Sequence, residues 1–156
     1  YAYPTEGVWG LGCLPDSEED VKKICLLKQR KLDKGLILVS GNFSHFDAYL
    51  SHLSEDLINK TKSKWPGAHT WLVPANDNVP SWIKGDSDFV ALRQSVHPSI
   101  IELSEKLNSV ITSTSANISS EPQQKMLKKL GTYSVMRYLY WKESLAEQIN
   151  LRQYKI

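Results

Sequence analysis

The sequence predicts a single α/β domain built on a mixed β-sheet with flanking helices. Three observations carry this expectation. Strand-like and helix-like stretches alternate irregularly, with no internal repeat, linker or low-complexity tract between them. The run Gly35-Leu36-Ile37-Leu38-Val39 is apolar without polar alternation, as in a strand covered on both faces. A chain of 156 residues, 41% apolar and 23% charged, has the length and composition of one globular core.

The elements follow in order. Residues 1–12 read as strand, turn and strand, with Pro4-Thr5-Glu6-Gly7 at the bend. Asp16, with Glu19 three residues on, has the form of a capping box. Val21, Ile24, Cys25 and Lys28 then recur at helical spacing, so a helix is expected over residues 17–27. After the apolar strand, Ser44 and Asp47 are spaced as a second cap-and-partner pair, and helical stretches should reach residue 64. Pro66-Gly67 marks a turn, and strands are expected at 70–74 and 89–93. Pro98 suits the first turn of a helix that points Ile101, Leu103 and Leu107 inward and stops near Asn108. A strand over 110–117, a helix over 123–130 with Gly131 behind it, and a strand over 133–140 complete the reading.

Charge and cysteine usage narrow the function classes. Net charge is +2, from 19 basic and 17 acidic residues, which does not mark a nucleic-acid binder. The charge is uneven, however: Lys22, Lys23, Lys28, Arg30, Lys31 and Lys34 fall close together against Asp33 alone, a local field able to hold an anion. Cys13 and Cys25 make neither a disulfide framework nor a metal site, and both are expected to be reduced, as in a cytoplasmic protein. There is no apolar run of transmembrane length, no P-loop and no GxGxxG, and the four histidines lack metal-ligand spacing. No Ser/His or Cys/His pair is evident for nucleophilic catalysis.

Four constellations remain as candidates. In Lys28-Gln29-Arg30, an extended backbone would put both cations on one side, Arg as a planar fork and Lys as a point charge; two solvated cations at a helix end fit the same spacing. In Ser113-Thr114-Ser115-Ala116-Asn117, the strand period puts Ser113, Ser115 and Asn117 on one face. That is a rack for a polar ligand, or the watered face of an edge strand. The Pro4-Thr5 bend either holds the Thr5 hydroxyl in a cleft or is a simple turn. Arg93 closes an apolar strand and either reaches a phosphate or forms a strand-end ion pair, while His97 reads as a helix N-cap.

Together these stretches resemble the YrdC/TsaC family. The matching residues are Tyr3-Pro4-Thr5-Glu6, Gly10-Leu11-Gly12, Leu27-Lys28-Gln29-Arg30, Asp33-Lys34-Gly35-Leu36-Ile37, Trp65-Pro66-Gly67, Thr70-Trp71-Leu72-Val73-Pro74, Val90-Ala91-Leu92-Arg93, His97-Pro98 and Ser113-Thr114-Ser115-Ala116-Asn117. Their order and spacing agree from Ala2 to Pro122. Departures are Gly7 in place of Thr, Trp9 in place of Tyr, Ala68-His69 in place of Pro-Val, and Ser120 in place of Gly. The end of the chain, 123–156, matches poorly; the family's arginine there has Asn150 near its place and Arg152 as a substitute. The chain opens at Tyr1 within a strand, so the family's N-terminal helix is expected to be missing from the domain 1–156.

The resemblance implies a twisted sheet with a concave basic face and a threonylcarbamoyl-AMP synthase. Such an enzyme forms threonylcarbamoyl-adenylate and pyrophosphate from L-threonine, bicarbonate and ATP with Mg²⁺, for modification of tRNA. By the family pattern Lys28 and Arg30 hold the carbamate and phosphates. Ser113, Ser115 and Asn117 contact nucleotide and threonine, Thr5 helps bind threonine, and Arg93 is a nucleotide-side candidate. Partners would be the enzymes that take the product to tRNA, with RNA contact through the basic face, and the location would be cytoplasmic. Two other readings of the same residues stand beside it: an RNA-binding module without catalysis, and a degenerate member that binds nucleotide without turnover.

Overall fold

The computed structural model describes residues 1–117. The expected elements at 123–130 and 133–140, Ser120, Asn150 and Arg152 lie outside them. A six-stranded sheet forms the frame, in the order β1-β2-β6-β3-β5-β4. Its strands are β1 (Ala2–Tyr3), β2 (Gly10–Leu11), β3 (Ile37–Ser40), β4 (Trp71–Pro74), β5 (Phe89–Gln94) and β6 (Ile111–Ser115). Among the described residues only β3 and β5 run parallel and every other pairing is antiparallel, so the sheet is mixed as expected. The helices are α1 (Glu18–Leu27), α2 (Asp47–Leu50), α3 (Glu55–Lys62), α4 (Ser81–Lys84) and α5 (Pro98–Leu107).

Local chemistry moves several boundaries. The cap of α1 is Ser17 and not Asp16: the Ser17 hydroxyl accepts from the Asp20 amide, satisfying one donor that the first turn leaves orphaned. Asn42, not Ser44, caps the next turn, its side-chain oxygen accepting from the Ser44 amide and hydroxyl. Residues 43–62 form a 3₁₀ turn and two helices, broken at 51–54, so the helical stretch stops two residues short of the expected end. His97 caps α5 as expected, Nδ1 accepting from the Ser99 amide. Within α5 the fully inward residues are Ile100 and Ser104, while Leu103 and Leu107 pack partly buried beside Tyr3, Val39 and Ile111.

The two sheet faces differ. On one, Leu38, Val73, Val90 and Leu92 are buried beneath Val21, Ile24 and Cys25 of α1, with Phe46, Leu50, Trp65 and Ile83 completing the main core. On the other, α5 covers only part of the surface. The register sets Ser113 opposite Ile37, Ile37 opposite Ala91, and Ala91 opposite Leu72, so these four share one row on that second face. Leu72 is 70% exposed, Phe89 48% and Ile37 37%, so this part of the sheet lies open. The expectation that 35–39 is covered on both faces therefore holds for Leu36, Leu38 and Val39 but not for Ile37.

The β1–β2 hairpin is seated on β6 by close backbone approach. A Cβ on Gly12 would stand 1.8 Å from the Thr112 carbonyl oxygen, so only glycine fits there. Fully buried Thr112 in turn bonds the Cys13 amide at 2.8 Å, and the Tyr3 hydroxyl donates to the Thr112 carbonyl at 3.0 Å.

Candidate functional site

Lys28, Gln29 and Arg30 form the C-terminal cap of α1 and are not a strand. The Gln29 amide bonds the Leu26 carbonyl at 3.1 Å, and the Arg30 amide bonds the Cys25 carbonyl at 2.8 Å. This double closure is a Schellman motif, and it needs the middle residue in the left-handed region; Gln29 has φ +50°. The two cations thus owe their spacing to a helix cap. The cap turns Lys28 inward, 3% exposed, and leaves Arg30 half-buried beside it.

Lys28 joins this cap to the end of β6. Its Nζ donates to the Asn117 carbonyl at 2.6 Å and also to the Ser115 carbonyl. Burial, with the Arg30 guanidinium beside it, pulls the Lys28 ammonium down to about 8. Arg30 uses Nη2 on the Lys34 and Gly35 carbonyls, at 3.1 and 2.7 Å, while its buried Nε has no hydrogen-bond partner among the described residues. An ammonium with a donor to spare and an unspent guanidinium N–H at one helix end suit an anionic ligand. Lys22 and Lys23, which the sequence grouped with them, pair instead with Glu18, Glu19 and Asp20 along α1.

The Ser/Asn rack lies on β6 and the turn behind it. Ser113, Ser115 and Asn117 are all half-buried, neither core nor freely solvated. The Ser115 hydroxyl donates to Asn117 Oδ1, which ties the two polar side chains together at the strand end. Of the two readings of the Pro4-Thr5 bend, the turn is the one whose contacts form at Thr5. Its hydroxyl donates to the Val8 carbonyl at 2.6 Å and accepts from the Val8 and Gly7 amides, shaping the loop between β1 and β2 from within. Arg93 forms the strand-end ion pair: Nη2 lies 3.1 Å from Glu6 Oε2, and Nε donates to the Gly67 carbonyl at 3.2 Å.

Two arrangements had no signal in the sequence. Glu6 Oε1 accepts from the Ser95 hydroxyl at 2.6 Å, a contact between residues 89 apart in the chain. A Ser/His pair does exist, Ser40 Oγ and His45 Nδ1 at 2.8 Å, although none was evident from spacing. Ser40 is wholly buried and its oxygen also accepts from the Asn42 amide, so the pair shapes a turn and offers no nucleophile. Among the described residues no three or more His, Cys, Asp or Glu side chains converge as a metal site, and no helix is long and apolar enough to cross a membrane.

The described residues thus form a mixed α/β sheet with two cations at a helix cap, fastened to a hydroxyl- and amide-bearing strand end. The sequence matches the Sua5/YciO/YrdC family, described as "Telomere recombination", over residues 1–133, and the chain belongs to that family. A relative from Pseudoalteromonas atlantica, named threonylcarbamoyl-AMP synthase, is 43% identical over 135 residues, covering 85% of this chain and 72% of its own. One of the same name from Pseudomonas putida is 46% identical over 132 residues, covering 85% and 71%. Sua5 of P. abyssi, solved in complex with L-threonine, superposes with a TM-score of 0.72 at 35% identity over 78% of this chain. This chain spans 36% of that Sua5 chain.

Proposed function

We propose that this chain is a threonylcarbamoyl-AMP synthase, acting on L-threonine, bicarbonate and ATP in the service of tRNA modification. The observation that carries the reading is the junction of the Lys28–Arg30 cap with the Ser115–Asn117 strand end, in a chain whose relatives bear that name. In the reaction the threonine amine and bicarbonate give a carbamate and water. A carbamate oxygen then attacks the α-phosphorus of ATP, the bond to the β-phosphate's bridging oxygen breaks, and pyrophosphate leaves. Positioning and charge stabilisation supply most of such a transfer.

In this reading Lys28 and the free Nε edge of Arg30 hold the carbamate and phosphates. Ser113, Ser115 and Asn117 contact nucleotide and threonine. Thr5 contributes to the threonine side through the loop it shapes. Arg93, paired with Glu6, supports that loop and is the weaker nucleotide-side residue. Mg²⁺ enters on the ATP phosphates as part of the substrate. The adenylate passes to partner enzymes that modify tRNA, with RNA contact on the basic side of the sheet and a cytoplasmic setting.

The test mixes the purified protein with ATP, Mg²⁺, bicarbonate and threonine and follows pyrophosphate. Release that depends on both threonine and bicarbonate is the expected result. Nucleotide binding without release would instead indicate a degenerate member. Salt-sensitive RNA binding with no nucleotide bound would point to an RNA module.

A further inference from the structure

The loop between β1 and β2 does not end its contacts at its own edge of the sheet. In the strand order, β6 and β3 lie between β2 and β5, yet Glu6 of this loop reaches Arg93 and Ser95 at the end of β5. The loop therefore spans the open face near the Ser113–Asn117 strand. Arg93 belongs to that face, since the register pairs it with Val39, which lies under α5. Both oxygens of the carboxylate are used, Oε2 by the Arg93 guanidinium and Oε1 by the Ser95 hydroxyl.

The far end of this tether is rigid. Ser95 is 1% exposed, its amide bonds the Ser40 carbonyl at 2.9 Å, and its hydroxyl also accepts from the His97 amide at the head of α5. Arg93 is held by the Gly67 carbonyl, and the Gly67 amide returns a bond to the Gln94 carbonyl. Burial by itself would raise the Glu6 carboxyl, but the Ser95 hydroxyl, a bond to the residue's own backbone amide, and the Arg93 and His97 charges together outweigh it and hold the group below the usual carboxylate range. One side chain thus links a loop to two elements that cannot easily shift. The loop's near end carries Thr5, whose hydroxyl is committed to the loop's own backbone and cannot fix its position over the sheet.

We propose that Glu6 is a positioning residue for the threonine side of the site, holding the Thr5 loop at a set height over the open sheet face through Arg93 and Ser95. The proposal rests on the synthase reading, and it separates threonine affinity from nucleotide affinity. Glu6→Gln keeps the size of the side chain and removes its charge. Initial rates of pyrophosphate release are measured against threonine at saturating ATP, and against ATP at saturating threonine, with melting temperatures taken alongside. Glu6→Gln is expected to raise the threonine KM about tenfold with kcat and the ATP KM within about twofold of the parent. Ser95→Ala, which removes one of the two tethers, should move the same constant in the same direction by less, and it serves if Glu6→Gln fails to fold. An unchanged threonine KM in a folded variant would overturn the proposal. So would a rise in the ATP KM as large as that for threonine, which would make Arg93, and not the loop, the group that Glu6 governs. A parent protein with no threonine-dependent release would defeat the synthase reading itself. Threonine titrated into parent and variant by calorimetry then decides the proposal, equal or absent affinity in both counting against it.

Discussion

Lys28 carries its charge where water hardly reaches, and the consequence can be worked out in sign. The ammonium holds its proton to about 8 when folded, against 10.5 for an ordinary lysine. Raising the pH through about 8 therefore removes the Lys28 cation from the helix end. ATP affinity, read by calorimetry, should fall across that step. The same titration acts oppositely on the fold. Between the two values the unfolded chain binds more protons than the folded one, so Lys28 contributes rising stability as pH increases there. Denaturant midpoints in the same buffers check this opposite trend, and a Lys28→Met variant should lose both effects. Lys28→Ala and Arg30→Ala should each abolish most pyrophosphate release, a role that near-normal turnover in either variant would refute.

At the scale of the element, the cap of α1 sets Lys28 and Arg30 side by side at one helix end. Two backbone bonds fix the geometry, and they hold Gln29 at positive φ, where a side chain costs roughly 1 kcal/mol. Gln29→Gly should therefore stabilise the fold by up to about 1 kcal/mol, because the left-handed conformation suits glycine without strain. Gln29 is exposed and the bonds that orient Lys28 and Arg30 are backbone bonds, so activity should be kept. Urea unfolding and the pyrophosphate assay measure the two halves of this expectation. A loss of stability would mean that the Gln29 side chain supports the cap by a contact of its own.

Over the whole molecule, the core protects what the surface does not. Cys13 and Cys25 are free and buried between α1 and the sheet. Burial raises both thiols, Cys13 to about 11, which leaves little thiolate at neutral pH. A thiol reagent should thus label neither residue in the native protein at neutral pH and both once denaturant has unfolded it. Rapid native labelling of either would show that the hairpin carrying Cys13, or α1 carrying Cys25, opens locally.

The sequence by itself determined the mixed α/β class, most of the strands and helices, and the His97 cap. These follow from local rules: an apolar run, a helical period, a proline at a first turn, and the alternation that puts Ser113 and Ser115 on one face. The helix expected over 123–130 and the strand expected over 133–140 lie outside the described residues. The tertiary structure decided the rest. Lys28 and Arg30 converge through a left-handed cap, which the residue type of Gln29 does not announce. Arg93 turned toward Glu6, Thr5 toward its own loop, and Ile37 toward the open face, since each depends on which strands lie side by side. Contacts such as Glu6 to Ser95 or Lys28 to Asn117 join residues far apart in the chain. Period and propensity act over a few residues, whereas such pairings exist only after the strand order and the close approach at Gly12 have brought the segments together.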